Sequence, residues 1–443
     1  MNDVTIIGAG VSGVFLAYTL MKSNPHIRVH LIDKGKRLEE RTCGRDVNQG
    51  CICPGPCEKY VGFAGLGKSE GKFNYTNDFG GRLGEKIGES QALKWMEEVD
   101  HILCSFGADK KARYSTKNED LSKKAAPFGL NVFSAEVRHL GTSLAYDVFQ
   151  KLYQEMEENI SFTFEADVSE VQKKGGRFII YTDQGVFESE QLVFATGMSG
   201  SNWMKSMTGQ LGLKADKTRL DLGIRVETRG DQLDAILQET FETKLNYQTE
   251  TYSATTYCMN PKGRVIRKHQ HGLVMADGQN QGEEERPSSN LNFTLFIPRY
   301  FDSHSLAMGE AQRIIGEINQ RNGRILAQTL GDLQAGLSTL SFSNGRIKPS
   351  LKAEPGDLRA EVPDLYIDAS LEFFQALERL LGEKMDPGTI LYGLDSKFYE
   401  PKVPTDITFQ TEIEGLYLIG DCSGETHSLS QAAASGIYLG SVL

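Results

Sequence analysis

The chain has 443 residues, with 48 basic against 59 acidic side chains and a formal net charge of −11. That length exceeds one simple core and predicts two domains. The charge argues against nucleic acid or an anionic membrane as the main partner, so a small-molecule substrate is expected. No apolar run approaches the ~20 residues that span a bilayer. A strand starting at residue 3 or 4 leaves no room for a signal peptide, and a cytoplasmic protein is expected. In that setting the seven cysteines serve as thiols, ligands or redox groups rather than as a disulfide framework.

In chain order, the first element is the apolar run Val4 to Ile7, a buried strand. A helix pattern covers Val11 to Leu20. Between and within them stand Gly8, Gly10 and Gly13, in the order G-x-G-x-x-G. Gly8 permits a sharp turn, Gly10 lets the backbone approach a pyrophosphate, and Gly13 lets the helix pack closely on the strand. The helix N-terminus offers free N–H groups and a positive dipole end to phosphates. A second apolar run, IRVHLID, ends at Asp33, a carboxylate placed to accept hydrogen bonds from an adenosine ribose, with Lys34 beside it.

A glycine- and cysteine-rich segment without periodicity follows, from Gly35 to Gly88. A loop of that length inside a compact domain points to function. ESQALKWMEEVDHILCSFG predicts a helix, and Lys110 to Lys124 a polar surface excursion. NVFSAEVR reads as a strand, and TSLAYDVFQKLYQEMEE as a helix with Thr142 or Ser143 as its N-cap. ISFTFEA, VSEVQKK, RFIIYTD and GVFESEQ predict a small antiparallel meander, closed by the buried strand QLVFATG. From about Trp203 to Pro401 the segments LDLGIRVE, QTETYSATTYC, GRVIRKHQ, GLVMAD and NLNFTLFIPR predict a mixed or antiparallel sheet. SLAMGEAQRIIGEINQ and ASLEFFQALERLLG predict helices that cover it. The tail returns to the opening pattern: a buried strand in TEIEGLYLIGDCSG, then a helix from roughly His427 to Val442.

That tail resembles the second FAD-binding fingerprint of flavoproteins, T-x5-(Y/F)-x-x-G-D, here Thr411, Tyr417, Leu418, Ile419, Gly420 and Asp421. The resemblance implies that Asp421 bonds a ribityl hydroxyl. It also implies that a helix beginning near Ser430 or Gln431 points its N-terminus at the flavin pyrimidine. Ala195, Thr196 and Gly197 resemble the A-T-G motif at which such chains leave the FAD domain. The preceding meander fits the same fold, in which backbone near Val168 meets the adenine. VGFAGLGKSEGKFNYTNDFGG is similar to the G-x-G-G-A-G-x-F-S-D-G-K segment of a family of uncharacterised FAD-dependent (NAD/FAD-utilising) dehydrogenases. Arg138 to Thr142, Asp221 to Glu227 and Thr256 to Gly263 resemble that family's internal motifs. The chain departs from the family at Ala64, Leu66, Gly67, Lys68 and Glu70. The implied fold is α/β: a Rossmann-like FAD-binding domain, with a parallel sheet and an antiparallel β-meander, and an inserted β-rich α+β substrate domain. The FAD domain is expected to be discontinuous, at residues 1–88, 131–200 and 402–443. Residues 89–130 are expected as a helical or surface excursion, and 201–401 as the substrate domain.

The implied function is an FAD-dependent oxidoreductase that passes a hydride between flavin N5 and a small organic substrate. NAD(P)H would bind only transiently, since no second G-x-G-x-x-G is evident. His427 is the candidate acid or base, because a histidine titrates near neutrality. One of Arg225, Arg264 and Arg267 could anchor an anionic substrate, although alternation on a half-exposed strand explains them equally. Cys258 could face the flavin or be a buried strand thiol. Cys43, Cys51, Cys53 and Cys57 follow C-x7-C-x-C-x3-C spacing, which is neither the C-x4-C of flavin disulfide reductases nor zinc C-x2-C spacing. A metal or iron–sulfur centre, a redox dithiol and loose thiols all remain open for them. Two other functions therefore stand beside the first: a flavin-linked thiol or metal-centre electron carrier, and a non-catalytic binding protein on an FAD-type fold.

Overall fold

Two apolar runs joined by a glycine turn and a helix have the crossover connection that parallel pairing requires, and the computed structural model shows that pairing. It describes all residues except 43–56, 70, 239–242, 280–287 and 344. The chain folds as two compact units.

The first unit comprises residues 1–115, 135–216 and 400–443. Its main sheet runs Ser161–Thr163, Val29–Ile32, Asn2–Ile7, Gly185–Phe194, with Leu416–Leu418 also paired to Gly185–Phe194, all in parallel. The strand Gly185–Phe194 does two jobs. Its first half pairs antiparallel with Arg177–Thr182, which pairs in turn with Val168–Lys174. Its second half lies between the first and last strands of the unit's parallel sheet. The meander therefore has three strands, and ISFTFEA supplies a parallel edge strand instead. QLVFATG and GVFESEQ are one continuous element.

Helices Val11–Ser23 and Leu429–Val442 pack against each other without side chains between them at key points: a Cβ on Gly436 would lie 2.2 Å from Ser12 O. The helix Gly141–Met156 starts one residue before Thr142, and neither Thr142 nor Ser143 caps it. Helix Glu89–Ser105 belongs to this unit's core through Ala92, Met96, Val99 and Leu103, so residues 89–115 are not an excursion. The helix Ser201–Gln210 also falls in this unit, which moves the boundary to Asp216. A small sheet of Lys72–Tyr75, Glu136–His139 and Tyr114–Ser115 completes it. Here Arg138 grips Asp100 with two nitrogens, at 2.7 and 2.8 Å, while Tyr75 Oη donates to the same carboxylate at 2.5 Å. Burial opposes the charged form of Asp100, but Arg138 and Tyr75 outweigh it and hold the carboxyl below its ordinary value.

The second unit comprises residues 116–134 and 217–399. NVFSAEVR is split by the unit boundary: Leu130–Phe133 is the edge strand of this unit's sheet, and Glu136–His139 belongs to the first unit. Among the described residues the sheet has eight strands, in the order 354–355, 326–329, 390–398, 218–229, 290–301, 253–261, 244–248, 130–133. The central strand Thr218–Arg229 turns Leu220, Leu222, Ile224 and Val226 to a core shared with helices His304–Asn319 and Asp364–Leu381. Its other face carries Asp221, Arg225 and Glu227, all at most 1% exposed. Glu227 accepts from Tyr392 Oη at 2.5 Å and from Asn290 Nδ2 at 2.8 Å. Asp221 accepts from Arg219 Nε at 2.6 Å and from Tyr399 Oη at 2.8 Å. The hairpin Arg264–Gln270 and Leu273–Gln279 closes over Arg225, where a Cβ on Gly278 would meet the guanidinium at 1.5 Å.

His30, on Val29–Ile32, is 3% exposed, and its Nε2 is 2.8 Å from Thr163 Oγ1 of the neighbouring strand. Burial depresses its pKa from 6.5 to about 4. The unfolded chain binds that proton first, so the contribution of neutral His30 is full above pH 6.5 and lost as pH falls towards about 4. Urea unfolding between pH 7 and 4.5 is expected to lose up to about 2–3 kcal/mol from this group. A His30→Gln variant should show a correspondingly shallower pH dependence.

Candidate cofactor cleft

Parallel strands leave a crevice beyond their carboxyl ends. In the first unit a cleft of about 240 Å³ opens there, lined by Ile7 and Gly8, Ile32 to Lys34, Ala195 to Gly200, and Asp421. Each group follows the end of a different parallel strand. The two sequence fingerprints thus reach one cavity.

The three opening glycines have three distinct reasons to lack a side chain. At Gly8, φ is +112° and a Cβ would lie 2.4 Å from Ala195 O. At Gly13 a Cβ would lie 2.0 Å from Gly8 O, so helix and turn touch backbone to backbone. Gly10 is different. Its φ of −67° suits any residue, and a Cβ there would meet only Ala195 O, at 3.9 Å. Gly10 lines the cleft, so the space that a side chain would take is ligand space. It is also the N-cap of Val11–Ser23, and no side chain caps that helix. The positive end of the helix therefore faces the cleft.

Asp33 is 9% exposed. Its Oδ2 accepts the Ala9 N–H and its Oδ1 the Gly35 N–H, both at 2.7 Å. Burial pushes its pKa up, against these two backbone donors. The carboxylate is fixed at the rim, with lone pairs left for hydroxyl donors. Arg41, 3% exposed, shapes the next wall by donating to the carbonyls of Glu58, Lys59, Phe63 and Gly65. Ala64, one of the departures from the family pattern, sits at φ +66° and pairs with the glycine turn through Ala64 N–H to Ala9 O at 2.8 Å. Lys68, another, is 8% exposed and donates to Arg41 O at 2.6 Å.

Of the expected residues, Gly8, Gly10, Asp33, Lys34, Val168, Ala195, Thr196, Gly197 and Asp421 line this cleft. Gly13 and Gly420 support it from behind, Gly420 against the Ser12 side chain. The closing helix starts at Leu429, between the expected limits of His427 and Ser430 or Gln431: Ser428 caps it, and Ser428, Leu429 and Ala432 line the cleft. Ser430 and Gln431 are fully buried, and Gln431 holds Leu83 N–H, Thr76 O and Phe79 O. His427 is half-buried, donates its amide to Gly80 O at 2.8 Å, and is not among the lining residues. Cys422 is 1% exposed with its pKa pushed up to about 11 by burial, an inert thiol.

The substrate candidates lie in the second unit. Arg225 is 1% exposed, bonded to Thr294 and Asn292, so it is neither half-exposed nor open to a substrate. Arg264 donates to Ser350 O and Arg267 to Gly323 O. Cys258 is exposed, not a buried strand thiol. Cys57 is a half-buried free thiol; Cys43, Cys51 and Cys53 lie outside the described residues. Among the described residues no group of three potential ligands is placed to hold a metal, and no helix is long and apolar enough to cross a membrane.

Sequence reasoning did not single out Tyr60, Leu66 or Trp203 as lining residues. Leu66 lies in the stretch marked by its resemblance, and Tyr60 immediately precedes it. Trp203 donates its indole N–H to Val168 O at 2.6 Å and ties the meander to the cleft. Its signal was a tryptophan soon after the A-T-G motif.

No protein-family model and no curated protein matches the chain. Among solved structures it is similar to glycine oxidase from Geobacillus kaustophilus, at 11% identity and TM-score 0.36, over 99% of this chain and 93% of that one. It is similar to L-proline dehydrogenase from P. horikoshii, at 11% identity and TM-score 0.42, over 100% and 92%. It is also similar to p-nitrophenol 4-monooxygenase PnpA from Pseudomonas putida DLL-E4, at 12% identity and TM-score 0.34, over 99% and 77%. Likenesses this distant carry no assignment, and the function proposed for the chain rests on the cleft itself.

Alanine at positions 10 and 13 separates ligand space from packing. Gly13→Ala is expected to cost at least about 3 kcal/mol, because backbone must move. Gly10→Ala should stay within about 1 kcal/mol of the parent. Urea denaturation of the two variants checks both.

Proposed function

We propose that the chain is an FAD-dependent oxidoreductase. The observation that carries this is Gly10: neither its backbone angle nor its protein neighbours demand glycine, and it borders a cleft that also receives Asp33 and Asp421. The residues present suit an elongated dinucleotide. The uncapped helix N-terminus would hold a diphosphate, Asp33 a ribose, and Asp421 a sugar-alcohol chain. The start of Leu429–Val442 supplies a positive dipole end to a negatively charged ring.

FAD, when bound, supplies a centre that accepts or gives a hydride. The protein's own work is to hold its two ends, orient them and exclude water. The second unit is proposed as the part that handles a small organic substrate. The cysteine-centred alternative finds no supporting observation among the described residues.

Protein purified without added cofactor is expected to be yellow, with an absorbance band near ~450 nm. Gly10→Val should lose that colour while keeping its far-UV circular dichroism. A colourless wild-type protein that takes up no added FAD would sink the proposal. Anaerobic bleaching with NADH, NADPH, thiols, amino acids and hydroxy acids then tests the oxidoreductase half, and a flavin that none of them bleaches leaves a binding protein.

A further inference from the structure

Asp421 opens the short 3₁₀ turn Asp421–Ser423 at the head of a loop, residues 421–428, between the last parallel strand and the closing helix. Such a loop holds a carboxylate in place only if something else holds the loop. Thr426, fully buried, donates its hydroxyl to Asp421 Oδ1 at 2.8 Å. Thr426 is itself held by a segment from far away in sequence. Gly81 pairs with it as an antiparallel bridge, Arg82 N–H donates to Glu425 O at 2.6 Å, and His427 N–H donates to Gly80 O at 2.8 Å. At Gly81 φ is +131°, and a Cβ would lie 2.7 Å from both Thr426 Cα and Glu425 O. The Glu425 carboxylate, 1% exposed, lies 3.2 Å from Lys86 Nζ and 3.0 Å from Lys402 Nζ.

We propose that residues Gly80 to Lys86 act as a strap across this loop, and that Thr426 is the positioning residue through which the strap orients Asp421 towards the ligand. The inference rests on the flavin reading above and deepens it. It also gives the Asp78–Gly81 end of the glycine-rich segment a role: its glycines meet the loop that follows the second fingerprint and the start of the closing helix. Asp421 opens only a three-residue 3₁₀ turn, Asp421–Ser423, which sets its backbone and leaves its carboxylate free to rotate about the side-chain bonds. The Thr426 hydroxyl, delivered at a set distance by the strap, supplies that constraint.

The test compares Thr426→Val, which keeps the shape and loses the donor, with Thr426→Ser, which keeps the donor. FAD affinity is measured by titrating apoprotein, and the unfolding midpoint of the same apoprotein is measured in parallel. T426V is expected to bind FAD at least about tenfold more weakly, as befits one lost hydrogen bond to a charged group. T426S should stay within about threefold of wild type. A purely structural role would instead shift the apoprotein midpoint and leave FAD affinity alone. Should T426V not fold, T426A makes the same comparison without the added methyl. Wild-type affinity in the hydroxyl-less variant, or equal weakness in T426S and T426V, overturns the positioning role while leaving the flavin reading intact. Wild-type protein that binds no FAD overturns both.

Discussion

The first unit depends on backbone approaching backbone where side chains are absent. Gly8 lies against the Ala195 carbonyl, Gly13 against the Gly8 carbonyl, and Gly436 against Ser12 O. These approaches link the first strand, the strand before Ala195 and the two helices that begin and end the chain. A methyl group at any of them would require a shift of main chain. The strands that they join run in parallel, so the first and last strands of the unit end at the same edge of one sheet, and the cleft there receives residues from both.

Around that tight centre the irregular segments are held by buried polar side chains that satisfy backbone groups. Arg41 gathers four carbonyls of the 58–65 segment, Gln431 holds three backbone groups of 76–83, and Trp203 holds Val168 O. A long loop can be ordered beside a binding site only if its buried N–H and C=O groups find partners. Here single side chains provide them, Arg41 and Gln431 with several bonds each and Trp203 with one. The same logic operates in the second unit, where Glu227 and Asp221 collect hydroxyl, amide and guanidinium donors between the sheet and its surroundings.

Much of the cleft was legible in the sequence because its signals are local. A continuous apolar run and a helical pattern give the opening strand and helix, and Asp33 follows at the end of the next apolar run. Asp421 stands at a matching place in the tail. What misled was burial on a second face. The alternation in LDLGIRVE implies a half-exposed strand, yet the hairpin 264–279 covers its polar face and removes Arg225 from solvent. The N-cap of Gly141–Met156 was likewise misplaced, since the chain enters that helix through Leu140 and Gly141 and the hydroxyls of Thr142 and Ser143 cap nothing. The run NVFSAEVR reads as one strand but bends at 134–135 into two sheets.

The sequence by itself determined where the backbone must be bare and where a carboxylate must follow a strand, because both follow from covalent geometry and short-range pattern. Only the tertiary structure decided which carboxylates, hydroxyls and guanidinium groups meet. Thr426 with Gly81, Arg82 with Glu425, and Glu425 with Lys86 and Lys402 are pairings between segments brought together by packing. No spacing along the chain encodes them, since the energy that selects them comes from closing the whole unit around its core.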